Sequence, residues 1–264
     1  MSAGVAEQVS PARDGLKLLL EAAVADGTVV QQNVSLAELT TLRVGGQADW
    51  FAEPQSQGDL SALVRACREH GLPVTVLGLG SNFLVLDSGV RGMTVRLSAG
   101  VFAGIEAYGS RLKCGASARM KKVATEAKRC GLAGMEFLEG IPGSIGGGLR
   151  MNAGAMGCEL FDVVVMVRFM DPAGEVFEMP AESIESRYRS CPLLKNQIAL
   201  GAVLKGEPDT AEAIAARMAE YSQKRWGSQP KARSAGCIFK NPEVIPAGKL
   251  VDELGLKGTT EGGA

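Results

Sequence analysis

The sequence predicts an α+β fold, and three stretches carry the signal. Within residues 73–97, three strand-like runs follow one another, separated by a glycine loop and a turn. Residues 118–130 show helical spacing of apolar side chains, and residues 163–180 contain two further strand-like runs joined by a turn at Pro172. So many strands in such short spans favour an α+β arrangement.

The individual elements follow from periodicity, caps and glycines. Asp59, Ser117 and Asp209 are each predicted to cap a helix, and Gly71 and Gly131 are predicted to lie just past helix ends. The expected helices are 15–26, 59–67, 118–130, 210–226 and 247–255. The expected strands are 40–54 (interrupted at Gly45-Gly46), 73–77, 83–87, 93–97, 163–170, 175–180 and 198–205.

Composition narrows the possible functions. The formal net charge of −1 argues against a surface for nucleic acid or anionic membranes. The sequence shows no long uncharged apolar run and no signal-peptide pattern, so we expect a cytoplasmic protein without a membrane span. The six cysteines show no C-x-x-C spacing and there is one histidine, so we expect no metal site. The oligomeric state stays open, with a monomer favoured.

Glycine is abundant, at 34 residues, and it clusters. The first cluster directly follows an apolar run and consists of Gly78, Leu79, Gly80, Ser81 and Asn82. Glycine-rich backbone brings N–H groups close to a pyrophosphate, and Ser81 and Asn82 add side-chain donors. The cluster is not G-x-G-x-x-G and precedes another strand-like run, which disfavours a Rossmann fold. An ordinary tight turn is the alternative.

The second cluster places nine glycines within residues 131–157. So many glycines carry a high conformational-entropy cost on folding, which a merely structural loop does not require. We therefore expect this backbone to wrap closely around a flat or phosphorylated ligand. A long surface loop is the alternative, but apolar residues such as Ile145 and Leu149 argue against it.

Five blocks of the sequence resemble, in order, those of the UDP-N-acetylenolpyruvoylglucosamine reductase (MurB) family. The blocks are TLRVGGQADWFAEP (41–54), GLGSNFLVLDSGVRGMTVRL (78–97), GLAGMEFLEGIPGSIGGGLRMNAGAMG (131–157), YRSCPL (188–193) and SAGCIFKNP (234–242). The resemblance implies the FAD-binding fold of the vanillyl-alcohol-oxidase (PCMH-type) superfamily. It implies a leader and helix at 1–32, an FAD-binding domain at 33–206 and a substrate-binding domain at 207–264.

The same resemblance implies an oxidoreductase that contains FAD, uses NADPH and converts UDP-N-acetylglucosamine enolpyruvate to UDP-N-acetylmuramate for peptidoglycan synthesis. Hydride passes from NADPH to the flavin and then to the β-carbon of the enolpyruvyl group, so electron density builds on the carboxylate side. Such a reaction needs a cation or acid near that carboxylate and a proton donor for the α-carbon. The residues implied to cradle FAD are Gly78 to Asn82 together with Pro142, Gly143, Ser144, Gly146 and Gly147.

Arg189 matches the family's catalytic arginine. A guanidinium fits a carboxylate bidentately and keeps its charge throughout. Tyr188 and Arg225 match residues expected to contact the substrate, and Lys240 and Asn241 are candidates by adjacency. A surface salt bridge for Arg189 and a solvated helix end for Arg225 are the alternatives.

Cys237 stands where the family usually has a serine proton donor. A thiol, with an ordinary pKa of about 8.5, is a far stronger acid than a hydroxyl. Cys237 is therefore predicted to replace the serine as acid. A buried small hydrophobe is the alternative for a free cysteine.

The chain departs from the family in length. The short connection from Arg189 to Cys237 resembles the class of these reductases that lacks a tyrosine-bearing capping loop. The sequence ends before the family's last segment, so we expect a truncated substrate-binding domain. A catalytically impaired flavin-binding fragment is therefore one alternative. A different flavoenzyme on the same fold, such as an alcohol oxidase, is another, and the last two sequence blocks argue against it.

Overall fold

The computed structural model describes residues 11–25, 27–228, 239–242 and 244–262. Its helices are α1 (Pro11–Ala22), α2 (Gln57–Glu69), α3 (Met120–Arg129), α4 (Ile145–Met151), α5 (Ala211–Ser228) and α6 (Ala247–Glu253). Its strands are β1 (Val30–Ser35), β2 (Gln47–Ala52), β3 (Val74–Leu77), β4 (Val90–Arg96), β5 (Ile105–Tyr108), β6 (Arg111–Gly115), β7 (Leu132–Ala133), β8 (Gly154–Ala155), β9 (Cys158–Glu159), β10 (Val164–Met170), β11 (Val176–Pro180), β12 (Ile198–Lys205) and β13 (Glu207–Pro208).

Two sheets form the framework, which confirms the predicted α+β fold. The first sheet has the strand order β1-β2-β4-β3; β1 runs antiparallel to β2, while β2 and β3 both run parallel to β4. The second sheet is fully antiparallel, in the order β11-β10-β12-β6-β5. Among the described helices, none is both long enough and apolar enough to cross a membrane.

Strand β12 links the cores of the two sheets. Its Ile198 and Leu200 pack in the cluster formed with α2, whereas Ala202 and Leu204 pack in the cluster formed with α3. Both helices present apolar residues at i, i+3, i+4 and i+7, the pattern of a helix with one buried face. In α2 these residues are Leu60, Leu63, Val64 and Cys67, and in α3 they are Met120, Val123, Ala124 and Ala127.

A second link joins α2 to the turn between β10 and β11. The Ser61 hydroxyl donates to the Gly174 carbonyl at 2.7 Å. The Arg65 guanidinium donates to the Ala173 carbonyl at 3.1 Å and pairs with Glu175 at 2.8 Å. A helix of the first sheet is thereby fixed to a turn of the second sheet.

The three predicted helix caps are wrong. Ser56, not Asp59, caps α2, because the Ser56 Oγ accepts from the Asp59 N–H at 3.0 Å. The residue before α3 is Arg119, which makes no side-chain cap bond, so Ser117 lies too early. At α5 the N–H of Ala213 donates to Thr210 Oγ1 at 3.2 Å, one residue after the predicted Asp209.

Other boundaries also differ from the sequence expectation. Helix α1 begins and ends four residues earlier than predicted, and β2 occupies only part of the expected run 40–54. Residues 83–87 form no strand. The backbone there instead packs against the Gly45-Gly46 segment, because the Gly46 N–H donates to the Leu86 carbonyl at 3.0 Å. Val85 is buried, and Leu84 and Leu86 face solvent.

Asp59 is a buried carboxylate that ties the chain before β1 to α2. Its oxygens accept from the Ala25 N–H at 3.0 Å and from the Thr28 hydroxyl at 2.9 Å. The Thr28 oxygen in turn accepts from the Gln55 N–H at 3.0 Å. The Ala25 bond is the main cause that lowers the pKa of Asp59 below its ordinary 3.8.

We expect Asp59→Ala to lower the free energy of unfolding at neutral pH by about 1–3 kcal/mol, because the buried Thr28 hydroxyl and the Ala25 N–H lose their acceptor. The wild-type stabilisation is fully present above pH 3.8, the ordinary carboxyl pKa, and is lost as pH falls through the lower folded-state pKa. Urea unfolding at several pH values tests this, with the exposed Asp252→Ala as control. Equal losses in the two variants would contradict the prediction.

Candidate active site

Two glycine-rich segments predicted to hold the cofactor, residues 78–82 and residues 142–147, meet in the structure. The first, Gly78 to Asn82, directly follows β3. Its Ser81 hydroxyl donates to the Pro142 carbonyl of the second segment at 2.8 Å. A Cβ on Gly78 would stand 3.5 Å from Ser144 Oγ, and one on Gly147 would stand 3.8 Å from the same atom. The Ser144 hydroxyl thus lies where the two segments converge.

Gly80 cannot be replaced without moving the backbone. It has a φ of +66°, and a Cβ there would lie 2.3 Å from the Leu39 carbonyl oxygen and 2.7 Å from Thr40 Cα. The Gly80 carbonyl accepts from the Thr41 N–H at 3.1 Å. Residues 39–41 therefore support the first segment, a role that nothing in their composition indicates.

The second segment is a packed element rather than the surface loop of the alternative interpretation. The N–H groups of Ile145 and Gly146 donate to the carbonyls of Ala118 and Ala116 at 2.9 and 2.7 Å. A Cβ on Gly146 would lie 3.1 Å from the Cβ of Ala116, so glycine permits this close approach. Ile145 and Leu149 of α4 are fully buried.

The donors of the two segments suit a dinucleotide cofactor such as FAD. Residues 78–82 and 142–147 contain no acidic side chain. They offer backbone N–H groups and the Ser144 hydroxyl, whereas the Ser81 hydroxyl donates to the Pro142 carbonyl. Ser144 lies directly before α4 and makes no side-chain cap bond. Neutral donors brought close by glycine backbone are suited to a pyrophosphate. The residues present therefore fit the group.

Arg189 lies in a tight turn beside the first glycine segment. Arg187 and Ser190 close the turn with two backbone hydrogen bonds, of 2.8 and 3.0 Å. One Arg189 Nη donates to Asn82 Oδ1 at 3.0 Å. Arg189 has a φ of +57°, a left-handed conformation that costs a non-glycine residue about 1–2 kcal/mol. Tyr188, the other residue of the turn, is about half exposed.

Helix α5 brings Arg225 to the edge of the second segment. The Arg225 Cδ lies 3.4 Å from the position of a Cβ on Gly140. Arg217 fixes the helix, because its Nε donates to Glu136 Oε1 at 2.8 Å and its Nη2 to Asp209 Oδ2 at 2.7 Å. Buried Glu136 also accepts from the Gly134 N–H at 2.7 Å, so this carboxylate orders the glycine region.

The remaining sequence-predicted residues lie in the C-terminal part. Lys240 is exposed, and Asn241 Oδ1 accepts from the Ala247 N–H at 3.1 Å, which ties it to α6. Cys237 lies outside the described residues.

Four described cysteines are poor candidates for chemistry. Burial raises the pKa of the Cys67 and Cys114 thiols to about 12 and also raises those of Cys158 and Cys191. These thiols therefore stay protonated at neutral pH, whereas a nucleophilic cysteine needs its thiolate.

Two family models match the chain. Residues 48–180 match an FAD binding domain, and residues 229–264 match the C-terminal domain of UDP-N-acetylenolpyruvoylglucosamine reductase. The chain is also similar to 6-hydroxy-D-nicotine oxidase from Arthrobacter nicotinovorans, with a TM-score of 0.54, 16% identity and coverage of 70% of this chain and 43% of that one. At that identity the likeness concerns the fold alone. The chain is an FAD-binding protein with the fold of the vanillyl-alcohol-oxidase superfamily.

Closer relatives specify the family. UDP-N-acetylenolpyruvoylglucosamine reductase from Paramagnetospirillum magneticum is 45% identical over 230 residues, which cover 87% of this chain and 74% of that protein. The crystal structure of the enzyme of the same name (MurB) from Thermus caldophilus matches with a TM-score of 0.78 and 37% identity, covering 89% of this chain and 83% of that one. The chain belongs to the UDP-N-acetylenolpyruvoylglucosamine reductase family.

We expect Gly80→Ala to lower both stability and FAD retention, because its new Cβ would displace either residues 39–41 or the glycine segment. Gly71→Ala is the matched control: Gly71 has a φ of +64° but nothing within 4 Å of a Cβ. The free energy of unfolding of the control should fall only by the cost of a left-handed alanine, about 1–2 kcal/mol, and the control should keep its flavin. Thermal unfolding and the visible flavin absorbance of the purified proteins measure the two effects. Equal behaviour of the two variants would refute the role assigned to Gly80.

Proposed function

We propose that this chain is an NADPH-dependent, FAD-containing reductase that converts UDP-N-acetylglucosamine enolpyruvate to UDP-N-acetylmuramate. The observation that carries the proposal is the 3.0 Å hydrogen bond from Arg189 to Asn82, because it sets the candidate catalytic cation against the segment expected to hold the flavin. Family membership supports the same reaction. A UDP-sugar precursor and NADPH as substrates support the cytoplasmic location that we propose.

The binding roles follow from the donors of each segment. Backbone N–H groups of residues 78–82 and 142–147, together with the Ser144 hydroxyl, would hold the FAD pyrophosphate. When bound, the flavin supplies the hydride transfer between NADPH and the β-carbon of the enolpyruvyl group. We assign substrate contacts to Tyr188, Arg225, Lys240 and Asn241. The chain is proposed to divide near residue 206, between an FAD-binding part and a substrate-binding part.

Arg189 provides the electrostatic part of the reaction. Negative charge grows on the carboxylate side of the substrate as its double bond is reduced. A fixed guanidinium stabilises that charge more in the transition state than in the ground state, which is what accelerates a reaction. The tight turn and the Asn82 contact hold the guanidinium in place beforehand, so no reorganisation is needed when the charge develops.

Anaerobic titration tests the proposal as a whole. The purified protein should be yellow, NADPH should bleach it, and the enolpyruvyl substrate should restore the colour. A protein that NADPH bleaches but the substrate does not restore is the flavin-binding fragment of the alternative interpretation.

Arg189→Gln should lower turnover by about 10²–10³-fold, the loss typical of removing one preorganised charge-stabilising donor. Bleaching by NADPH should stay near the wild-type rate, because the arginine acts on the enolpyruvyl carboxylate. Stopped-flow measurement of the two half-reactions separates the effects. Arg129→Gln is the control, since Arg129 lies exposed on α3 and pairs with Glu126. Turnover within a few-fold of wild type would remove Arg189 from the mechanism.

Cys237→Ala should keep bleaching by NADPH but lose reduction of the enolpyruvyl group, because the α-carbon loses its proton donor. Cys237→Ser restores a donor of the type usual in the family and should keep most of the turnover. Steady-state kinetics of the three proteins decides the point. Unchanged turnover in Cys237→Ala would show that the proton comes from another group.

A further inference from the structure

The C-terminal end of α4 contacts the Arg189 turn at both of its ends. At the first residue of the turn, Asn152 Nδ2 lies 3.5 Å from the Arg187 carbonyl oxygen. After the turn, the Cys191 N–H donates to the Arg150 carbonyl at 3.2 Å. Residues 150–152 therefore hold both ends of the turn that contains Arg189.

Asn152 is itself tightly fixed. It is 2% exposed and ends α4 in a left-handed conformation, with a φ of +39°. Its Oδ1 accepts from the Phe161 N–H at 3.1 Å, and its Nδ2 donates to Glu159 Oε2 at 2.6 Å. A carboxylate only accepts hydrogen bonds, so the amide nitrogen must face Glu159 and, with it, Arg187.

The other end of α4 is the second glycine segment. Ser144 lies directly before the helix, and Gly146 is bonded to Ala116. The seven-residue helix α4 is about 10 Å long. One continuous helix therefore joins the expected flavin segment to the turn that carries Arg189.

We propose that Asn152 is a positioning residue for the reaction, acting through the Arg187 carbonyl to keep the Arg189 guanidinium beside Asn82. The inference rests on the role proposed for Arg189. The left-handed conformation of Arg189 is strained, and such strain persists only where surrounding contacts enforce it. Without the Asn152 contact the turn can relax, and the Arg189 guanidinium is then no longer held beside Asn82.

Paired substitutions isolate the contact to Arg187. Asn152→Asp keeps the shape and the acceptor for Phe161, but it cannot donate to the Arg187 carbonyl and it repels Glu159. Adding Glu159→Gln supplies an amide donor to the new carboxylate, so the double variant restores the link between positions 152 and 159. It still lacks the donor to Arg187. Asn33→Asp is the control, because Asn33 is another left-handed asparagine, with a φ of +54°, on the outer strand β1.

The double variant should retain its flavin and its bleaching by NADPH, although moving the carboxylate to the buried position 152 lowers its thermal stability. Turnover of the enolpyruvyl substrate should fall about 10–100-fold, the scale of a small misplacement of a catalytic group. In the apoprotein, hydrogen–deuterium exchange of a peptide spanning 187–191 should be faster than in wild type and in the control. The exchange measurement needs neither flavin nor substrate.

Wild-type turnover and wild-type exchange in the double variant would overturn the proposal. A parallel fall in stability, flavin content and both half-reactions would also overturn it, because the effect would then be structural damage. If the wild-type protein itself did not turn over, the proposed function would fail. The exchange readout would still decide whether Asn152 holds the turn.

Discussion

Close approach of main chain to main chain at the two glycine segments is the constraint on which the rest of the structure depends. A Cβ on Gly80 would overlap the backbone of Leu39 and Thr40, and a Cβ on Gly146 would lie only 3.1 Å from the Cβ of Ala116. These contacts fix the end of β3 in the first sheet and the start of α4 beside the second. The Ser81–Pro142 hydrogen bond then joins the two segments. A ligand held there meets backbone donors from both sheets.

The same constraint explains the placement of Arg189. Because the start of α4 is pinned by Gly146, the position of its last turn is determined by helix geometry. That last turn holds the strained loop through Arg150 and Asn152, and Asn82 of the first segment accepts from the guanidinium. The arginine is thus located from both glycine segments at once, although it is distant from both in sequence.

Elements with a strong periodic signal could be predicted from the sequence, as α2 and the β10–β11 hairpin show. Strands β5 and β6 are only four and five residues long, so the alternation of charged and apolar residues along β6 gives a short and weak signal. β6 is held in the sheet by pairing with β12, and β5 by pairing with β6. The reverse failure occurred at residues 83–87, which are apolar but find no strand to pair with. Apolar content alone does not determine pairing, since both sides of β4 are taken by β2 and β3.

Some residues of the candidate site could likewise be predicted from the sequence, and others could not. The glycine clusters and Arg189 stand out in the sequence because their residue types are unusual or match family blocks. The supporting residues do not stand out. Thr41 contributes only its backbone, and nothing in the sequence distinguishes Asn152 from the other residues of its block. A signal for Asn152 existed, since asparagine is the commonest non-glycine residue to end a helix in a left-handed conformation. Its contact with Arg187 depends on tertiary structure and could not be predicted.

Side-chain hydrogen bonds between the two sheets limit how far they can move relative to each other. Ser61 and Arg65 fasten α2 to the β10–β11 turn, and Ser81 fastens the first glycine segment to the second. The sheets cannot swing apart as rigid bodies without breaking both fastenings together. The space between the two glycine segments can therefore widen only through local movement of the chain around residues 78–82 and 142–147.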